Sequence, residues 1–179
     1  EVYGTYLADD LNFSRIGERE GNNNKWALQA GASVGALGAT AFAEYTRIEP
    51  FVYTHRFSRE GSFYNSYTHN GFGLGHPPGP NADQWKAGAE AWLPLGVRAR
   101  VTGRYVRRGE NTVTPSGEPL IVGGDVSVGT QPDPFIKEFL FGEVFAGPGA
   151  TLDVLWEPVN SLQTRLFVDW QSWDGADDR

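Results

Sequence analysis

Residues 67–85, YTHNGFGLGHPPGPNADQW, are dense in side chains with chemistry to offer. His69, His76 and Asp83 are of ligand type, since neutral imidazole and carboxylate both bind zinc. Their spacing of seven and seven matches no compact ligand motif. The reading therefore favours histidines bonded to loop backbone, with no metal and no cofactor. Asp9 and Asp10, in LADDL, are a carboxylate pair of the kind that works on glycosides as acid and base. Neighbours in a strand point to opposite faces, so one of them is expected to pin a loop instead. GFGLG lacks the strand-to-helix context of a nucleotide fingerprint, and no Gly-x-Ser-x-Gly elbow occurs. No catalytic residue is assigned, and the chain reads as a non-enzyme.

What the stretch does offer is hydrogen bonding and stacking. Tyr64, Tyr67, His69, Asn70, His76, Asn81, Asp83 and Trp85 are the candidate groups, for binding a polysaccharide or for ordering the loop. Gly71, Gly73, Gly75 and Gly79 open backbone conformations closed to other residues. Pro77, Pro78 and Pro80 stiffen the same segment, which predicts a loop of fixed course.

The elements that must position this loop are β-strands. Trp26, Leu28, Ala30, Ala32 and Val34 alternate with Lys25, Gln29 and Ser33; Ala39, Ala41, Ala43 and Tyr45 alternate with Thr40, Phe42, Glu44 and Thr46. The period of two recurs from Trp85 to Leu93, from Val97 to Tyr105, in TLDVLWE and in LQTRLFVDW, and such a period means strand. Phe139–Phe145 is apolar on both faces and reads less cleanly. Eight strands are expected, near 1–8, 25–35, 39–55, 84–94, 96–107, 137–146, 149–157 and 162–172.

One face of each strand is apolar and often small. The other carries Glu44, Glu90, Arg98, Arg100, Arg104, Asp153, Arg165 and Asp169. A soluble sandwich shows the same alternation with its charges in water. Two features favour a membrane barrel over it. The polar faces mix both signs, as a wet lumen does, and the apolar faces end in Trp26, Tyr45, Trp85, Tyr105, Trp156 and Trp170, where an interfacial girdle would sit. Long links near 11–24, 56–83 and 108–136 alternate with short ones, as extracellular loops alternate with periplasmic turns. The eight charged residues are then a lumen ladder. A track formed by Arg98, Arg100 and Arg104 that attracts an anionic polymer is the weaker alternative.

Composition sets the outer limits. The 179 residues fit one domain, and no apolar run approaches the roughly 18 residues of a membrane helix. The net charge of −7 disfavours a nucleic-acid partner. With no cysteine there is no disulfide, thiolate metal site or thiol nucleophile, which suits an envelope protein crossing an oxidising compartment. The chain opens on EVYGTYL and stops at GADDR, and reads as a mature segment or a fragment of something longer.

Together, LADDL at 7–11, YTHRFS at 53–58 and YNSYTHNGFGLGHPPGPNADQW at 64–85 resemble the Wzi-like capsule assembly family. The signature is Tyr64 and Tyr67, then Asn70-Gly71, Leu74–His76 and Gly79–Asp83. The match is specific in the loop and loose elsewhere. It implies the C-terminal portion of an antiparallel transmembrane β-barrel in the bacterial outer membrane. Its partners would be membrane lipid and capsular or other surface polysaccharide, retained without catalysis. A porin-like channel for small solutes is the first alternative, and a soluble carbohydrate-active β-protein the second.

Overall fold

A computed structural model of the chain describes residues 1–16, 24–54, 67–70, 72–127, 137–159 and 161–175. Among these the fold is all-β and antiparallel. The strands are β1 (Val2–Asp10), β2 (Lys25–Ala36), β3 (Ala39–Ile48), β4 (Thr68–His69), β5 (Phe72–Gly73), β6 (Ala82–Leu93), β7 (Val97–Glu110), β8 (Thr112–Val113), β9 (Pro119–Leu120), β10 (Glu143–Val159) and β11 (Leu162–Gln171). Seven of them form one sheet in the order β1-β2-β3-β6-β7-β10-β11, each long strand pairing with the next long one. The sheet is open among the described residues, with β1 and β11 at its edges. The pairs β4-β5 and β8-β9 are small hairpins within the links.

Seven long strands replace the eight expected. The segments at 137–146 and 149–157 are not two strands joined by a turn at Gly147-Pro148; β10 runs straight through. A proline removes one ladder donor, but its carbonyl still accepts from Ser172 N at 2.9 Å. Gly147 lies so close to Ser172 that a Cβ there would strike its carbonyl. The apolar stretch from 137 to 142 is outside the strand, and the Phe139 ring lies under the Arg47 guanidinium at 3.8 Å. β3 also ends early, at Ile48 rather than near 55. Pro50 follows, then Phe51 and Tyr53 with φ of 65° and 69°, a region that non-glycine residues rarely occupy.

With seven strands the links sort completely by length. Residues 11–24, 49–81 and 111–142 connect at one end of the sheet; 37–38, 94–96 and 160–161 connect at the other. The second and third long links thus differ in extent from the 56–83 and 108–136 expected, because β6 starts at Ala82 and β7 continues to Glu110. The β2–β3 turn has positive φ at both Leu37 (53°) and Gly38 (80°), the two-residue geometry that matches strand twist.

Register gives each face a continuous character. Val34, Ala41, Ala89, Val101, Leu152 and Val168 are successive cross-strand partners over six strands. This apolar row is uncovered: Val101 is 55% exposed and Val168 50%. Four residues along each strand toward the loop end, Tyr45, Trp85 and Tyr105 form an aromatic row on the same face, with the Tyr45 and Trp85 rings 4.4 Å apart. Trp156, partnered with Val97, marks the other end, eight residues along β7 from Tyr105.

The opposite face is ionised over most of its length, with Phe42 and Phe167 among the charges, and gathers a small apolar core at the loop end. There Ile48, Val52, Tyr53 and Ala27 pack as a small core, with Val126 against it. Asn81, fully buried, fixes this end. Its Nδ2 donates to the carbonyls of Gly109 (2.9 Å) and Phe141 (3.0 Å), and its Oδ1 accepts from Leu140 N (2.8 Å). Lys25 Nζ donates to Thr54 O at 2.6 Å, and Asp9 Oδ2 accepts from Tyr53 N at 3.2 Å.

Asn81→Ala leaves two carbonyls and one amide without partners in a buried setting, which costs on the order of 3 kcal/mol. The expected outcome in urea titration is a lower midpoint, with the 49–54 and 137–142 segments opening to protease first. An unchanged midpoint and unchanged cleavage would place the stability of the loop end elsewhere.

Candidate functional site

The ionised face is built from rows of directly opposed residues. Tyr3, Gly31, Glu44, Lys86, Arg104, Gly149 and Gln171 form one row across all seven strands. The two glycines are gaps across which longer side chains reach. The Tyr3 ring lies over Gly31, and its hydroxyl donates to Glu44 Oε2 at 2.8 Å. Arg104 Nε spans Gly149 to donate to Gln171 Oε1 at 2.8 Å. Lys86 Nζ sits 2.6 Å from Glu44 Oε1.

The neighbouring row contains Thr102, Thr151 and Asp169. Arg104 holds Asp169 as a fork, Nη1 to Oδ1 at 2.7 Å and Nη2 to Oδ2 at 2.9 Å, and the Thr151 hydroxyl adds a bond of 2.6 Å. Toward the short turns, Arg165 makes a similar fork on Asp153, at 2.7 and 3.0 Å. Arg98 approaches the same carboxylate only to 3.9 Å, and Arg100 approaches Glu90 to 4.0 Å while its guanidinium lies 5.1 Å from the Phe42 ring centre. All eight charged residues named from sequence thus stand on one face, and each contacts an opposite charge.

Above this face, on the loop side, the 74–80 segment roofs a cleft of about 550 Å³. Its floor holds Lys86, Arg104 and Arg108 with Asp169; His76, Pro77 and Pro78 come from the roof, and Phe167 and Trp173 form a wall. His76 donates its backbone N–H to the Tyr53 hydroxyl at 3.5 Å, and its Nδ1 is buried without a hydrogen-bond partner among the described residues. Burial, then the Lys86 charge, lowers the imidazole pKa below its ordinary value of 6.5; Glu44 opposes this weakly.

The loop residues named from sequence separate in space. His76 lines the cleft. Tyr67 packs against Tyr53 with tilted rings whose centres are 5.8 Å apart, and its amide and carbonyl bond to Tyr53 and Leu74. His69 and Asn70 sit exposed in the β4–β5 hairpin. Asn81 and Asp83 are buried and spent on structure: Asp83 takes a fork from Arg107 at 2.9 and 2.5 Å and a bond from the Tyr45 hydroxyl at 3.2 Å. Trp85 belongs to β6 and lies 59% exposed on the apolar face, away from the loop. Tyr64 falls outside the described residues. His69, His76 and Asp83 form no metal cluster, and no group of three such side chains does so among the described residues.

Lys86, Arg108, Phe167, Gln171 and Trp173 were not singled out from sequence. Lys86 and Gln171 lay on the polar parity of their strands, which was the signal available. Trp173 follows β11 and carries no alternation to mark it.

Replacing Arg104 by Lys keeps the charge and loses the fork. Amide hydrogen exchange across β11 is expected to quicken while the rest of the sheet stays protected; uniform protection would argue against the fork as the anchor of this edge. His76 gives a pH prediction. A base whose folded pKa is lowered contributes stability above its unfolded value, and that stability is lost as pH falls from about 6.5 toward the folded value. Exchange in residues 74–80 should therefore accelerate on acidification through that window in the native chain and stay flat in His76→Gln.

No family model, no curated protein and no solved structure matches this chain.

Proposed function

We propose that the chain is a wall segment of an outer-membrane β-barrel that retains surface polysaccharide non-covalently and performs no catalysis. The observation that carries this reading is the exposed apolar row from Val34 to Val168, backed on the opposite face by paired ions. Soluble monomers keep their largest apolar patch near roughly 300–600 Å². A band spanning six strands is the wrong surface for water and the right one for acyl chains.

The spacing of the aromatic rows agrees. Eight residues at about 3.3 Å each separate Tyr105 from Val97 along β7, or roughly 20 Å across a bilayer for a strand tilted by about 40°. That is close to the apolar belt of such barrels, about 25 Å tall. All long links then lie on one side of the membrane. The resemblance of residues 64–85 to the Wzi-like capsule assembly family supports the outer side and a capsular partner. Many weak contacts from loops along one polymer add by multivalency, so retention needs no tight single site.

Two measurements test it. In vesicles of brominated lipid, Trp85, Trp156 and Trp170 should be quenched, and the protein should need detergent for extraction. Deleting the gene should shift surface polysaccharide from the cell to the medium without changing its total amount. A protein that stays in solution without detergent, or a deletion strain that keeps its polysaccharide, ends this reading. High conductance in planar bilayers would favour the porin-like channel instead.

A further inference from the structure

The cleft under residues 74–80 has a charge balance opposite to that of the chain. Among the described residues, Lys86, Arg104 and Arg108 are the cationic members of its lining and Asp169 alone is anionic, in a chain of net charge −7. Asp169 is already committed to Arg104 and Thr151 by three hydrogen bonds. The carboxylates that contact the other two cations, Glu44 at 2.6 Å from Lys86 and Glu110 at 3.3 Å from Arg108, stand outside the lining. The guanidinium of Arg108 makes no hydrogen bond among the described residues, its contact with Glu110 being out of line for one. Arg108 therefore has donors, and His76 a ring nitrogen, with capacity to spare at the edge of the cleft.

The remaining surface is mostly apolar and partly flat: Pro77, Pro78, Val106, Phe167 and Trp173. A volume of about 550 Å³ lies within the range of small-ligand sites, roughly 300–1,000 Å³. A flat apolar wall beside a cationic floor fits a ligand with an apolar ring face and one anionic group. Aromatic and proline faces take the ring, and a guanidinium with free donors takes a carboxylate as a fork.

We propose that this cleft seats an acidic sugar residue, a uronate, with its carboxylate at Arg108 and Lys86 and its ring against Trp173 and Phe167. The proposal rests on the polysaccharide-retention reading and narrows it to a charged class of polymer and one seat. Arg104 is excluded as the reader of the carboxylate, because its donors are occupied by Asp169, Thr151, Gln171 and the Trp170 carbonyl.

The test is calorimetric titration of the full chain in detergent micelles with two probes, a galacturonate hexamer and its carboxyl-reduced galactose counterpart. The acidic hexamer should bind at least tenfold more tightly. Arg108→Gln should abolish that preference and leave the neutral hexamer unchanged. Trp173→Ala should weaken both hexamers about tenfold, with the circular dichroism of each variant matching the native chain. Equal binding of the two hexamers, an acid preference that survives Arg108→Gln, or a Trp173→Ala variant that binds as the native chain does each overturns the seat. Failure of both hexamers to bind also overturns it. The retention reading is judged separately, by where the deletion strain leaves its polysaccharide.

Discussion

The structure depends on one row of directly opposed residues, Tyr3–Gly31–Glu44–Lys86–Arg104–Gly149–Gln171, that crosses the whole sheet and is bonded at both of its ends, Tyr3 to Glu44 and Arg104 to Gln171. Side chains on one sheet face are normally limited to direct cross-strand neighbours. Here the glycines remove that limit. Tyr3 passes over Gly31 to reach β3, and Arg104 passes over Gly149 to reach β11. Each edge strand is thereby joined to the strand two places inward as well as to its neighbour. A Cβ at residue 31 would meet the Tyr3 ring at 2.5 Å, so glycine is required there by space rather than by φ.

The row also fixes what the other face can be. A slip of one residue in any pairing exchanges the two faces of that strand. It would send Arg104 or Lys86 onto the apolar side and leave Asp169 or Glu44 alone on the ionised side. Uncompensated charges of that kind are expensive in any low-dielectric setting, so the ion pairs select the register as much as they stabilise it. Forks that are largely exposed contribute little to stability by themselves. Their effect lies in excluding alternatives.

At the loop end a different economy holds, because the connections there are long and must satisfy their own backbone groups. Asn81 does this with one carboxamide, meeting a carbonyl near the end of β7 and one carbonyl and one amide from the segment before β10. Asp83, two residues on, ties β6 to β7 through Arg107 and to β3 through Tyr45. Both residues read from sequence as candidates for binding a polysaccharide or for ordering the loop. Polar type and a Gly-Pro-rich setting cannot distinguish a residue that greets a ligand from one that holds the loop shut; burial does, and burial is a property of the assembled chain. The strands were legible for the opposite reason, since period two is set by local backbone geometry. Pro148 misled because a proline flanked by glycines has the composition of a turn, and only the neighbouring strand reveals that its carbonyl is in the ladder. Three of the cleft's residues, His76, Arg104 and Asp169, were named from sequence, but the cleft itself was not legible: Lys86, Arg108 and Trp173 lie on β6, on β7 and beyond β11, and only the pairing brings them together.

Arg98, Arg100 and Arg104 show how far residue type can be separated from role. They lie on the same face of one strand and looked equivalent as a ladder or a track. Register opposes Arg104 to Gly149, whose missing side chain opens the way to Gln171 and to the Asp169 carboxylate, and the guanidinium makes five hydrogen bonds. Arg100 is opposed to Asp153, but Arg165 has already taken both of that carboxylate's oxygens. Arg98 and Arg100 are left with contacts of 3.9 and 4.0 Å, near enough to be neutralised and too far to be held. One arginine is therefore a strut, while among the described residues the other two make no side-chain hydrogen bond on the ionised face. The difference arises from a glycine and a competing arginine on neighbouring strands, so a charge pattern along one strand acquires its meaning only from the strands beside it.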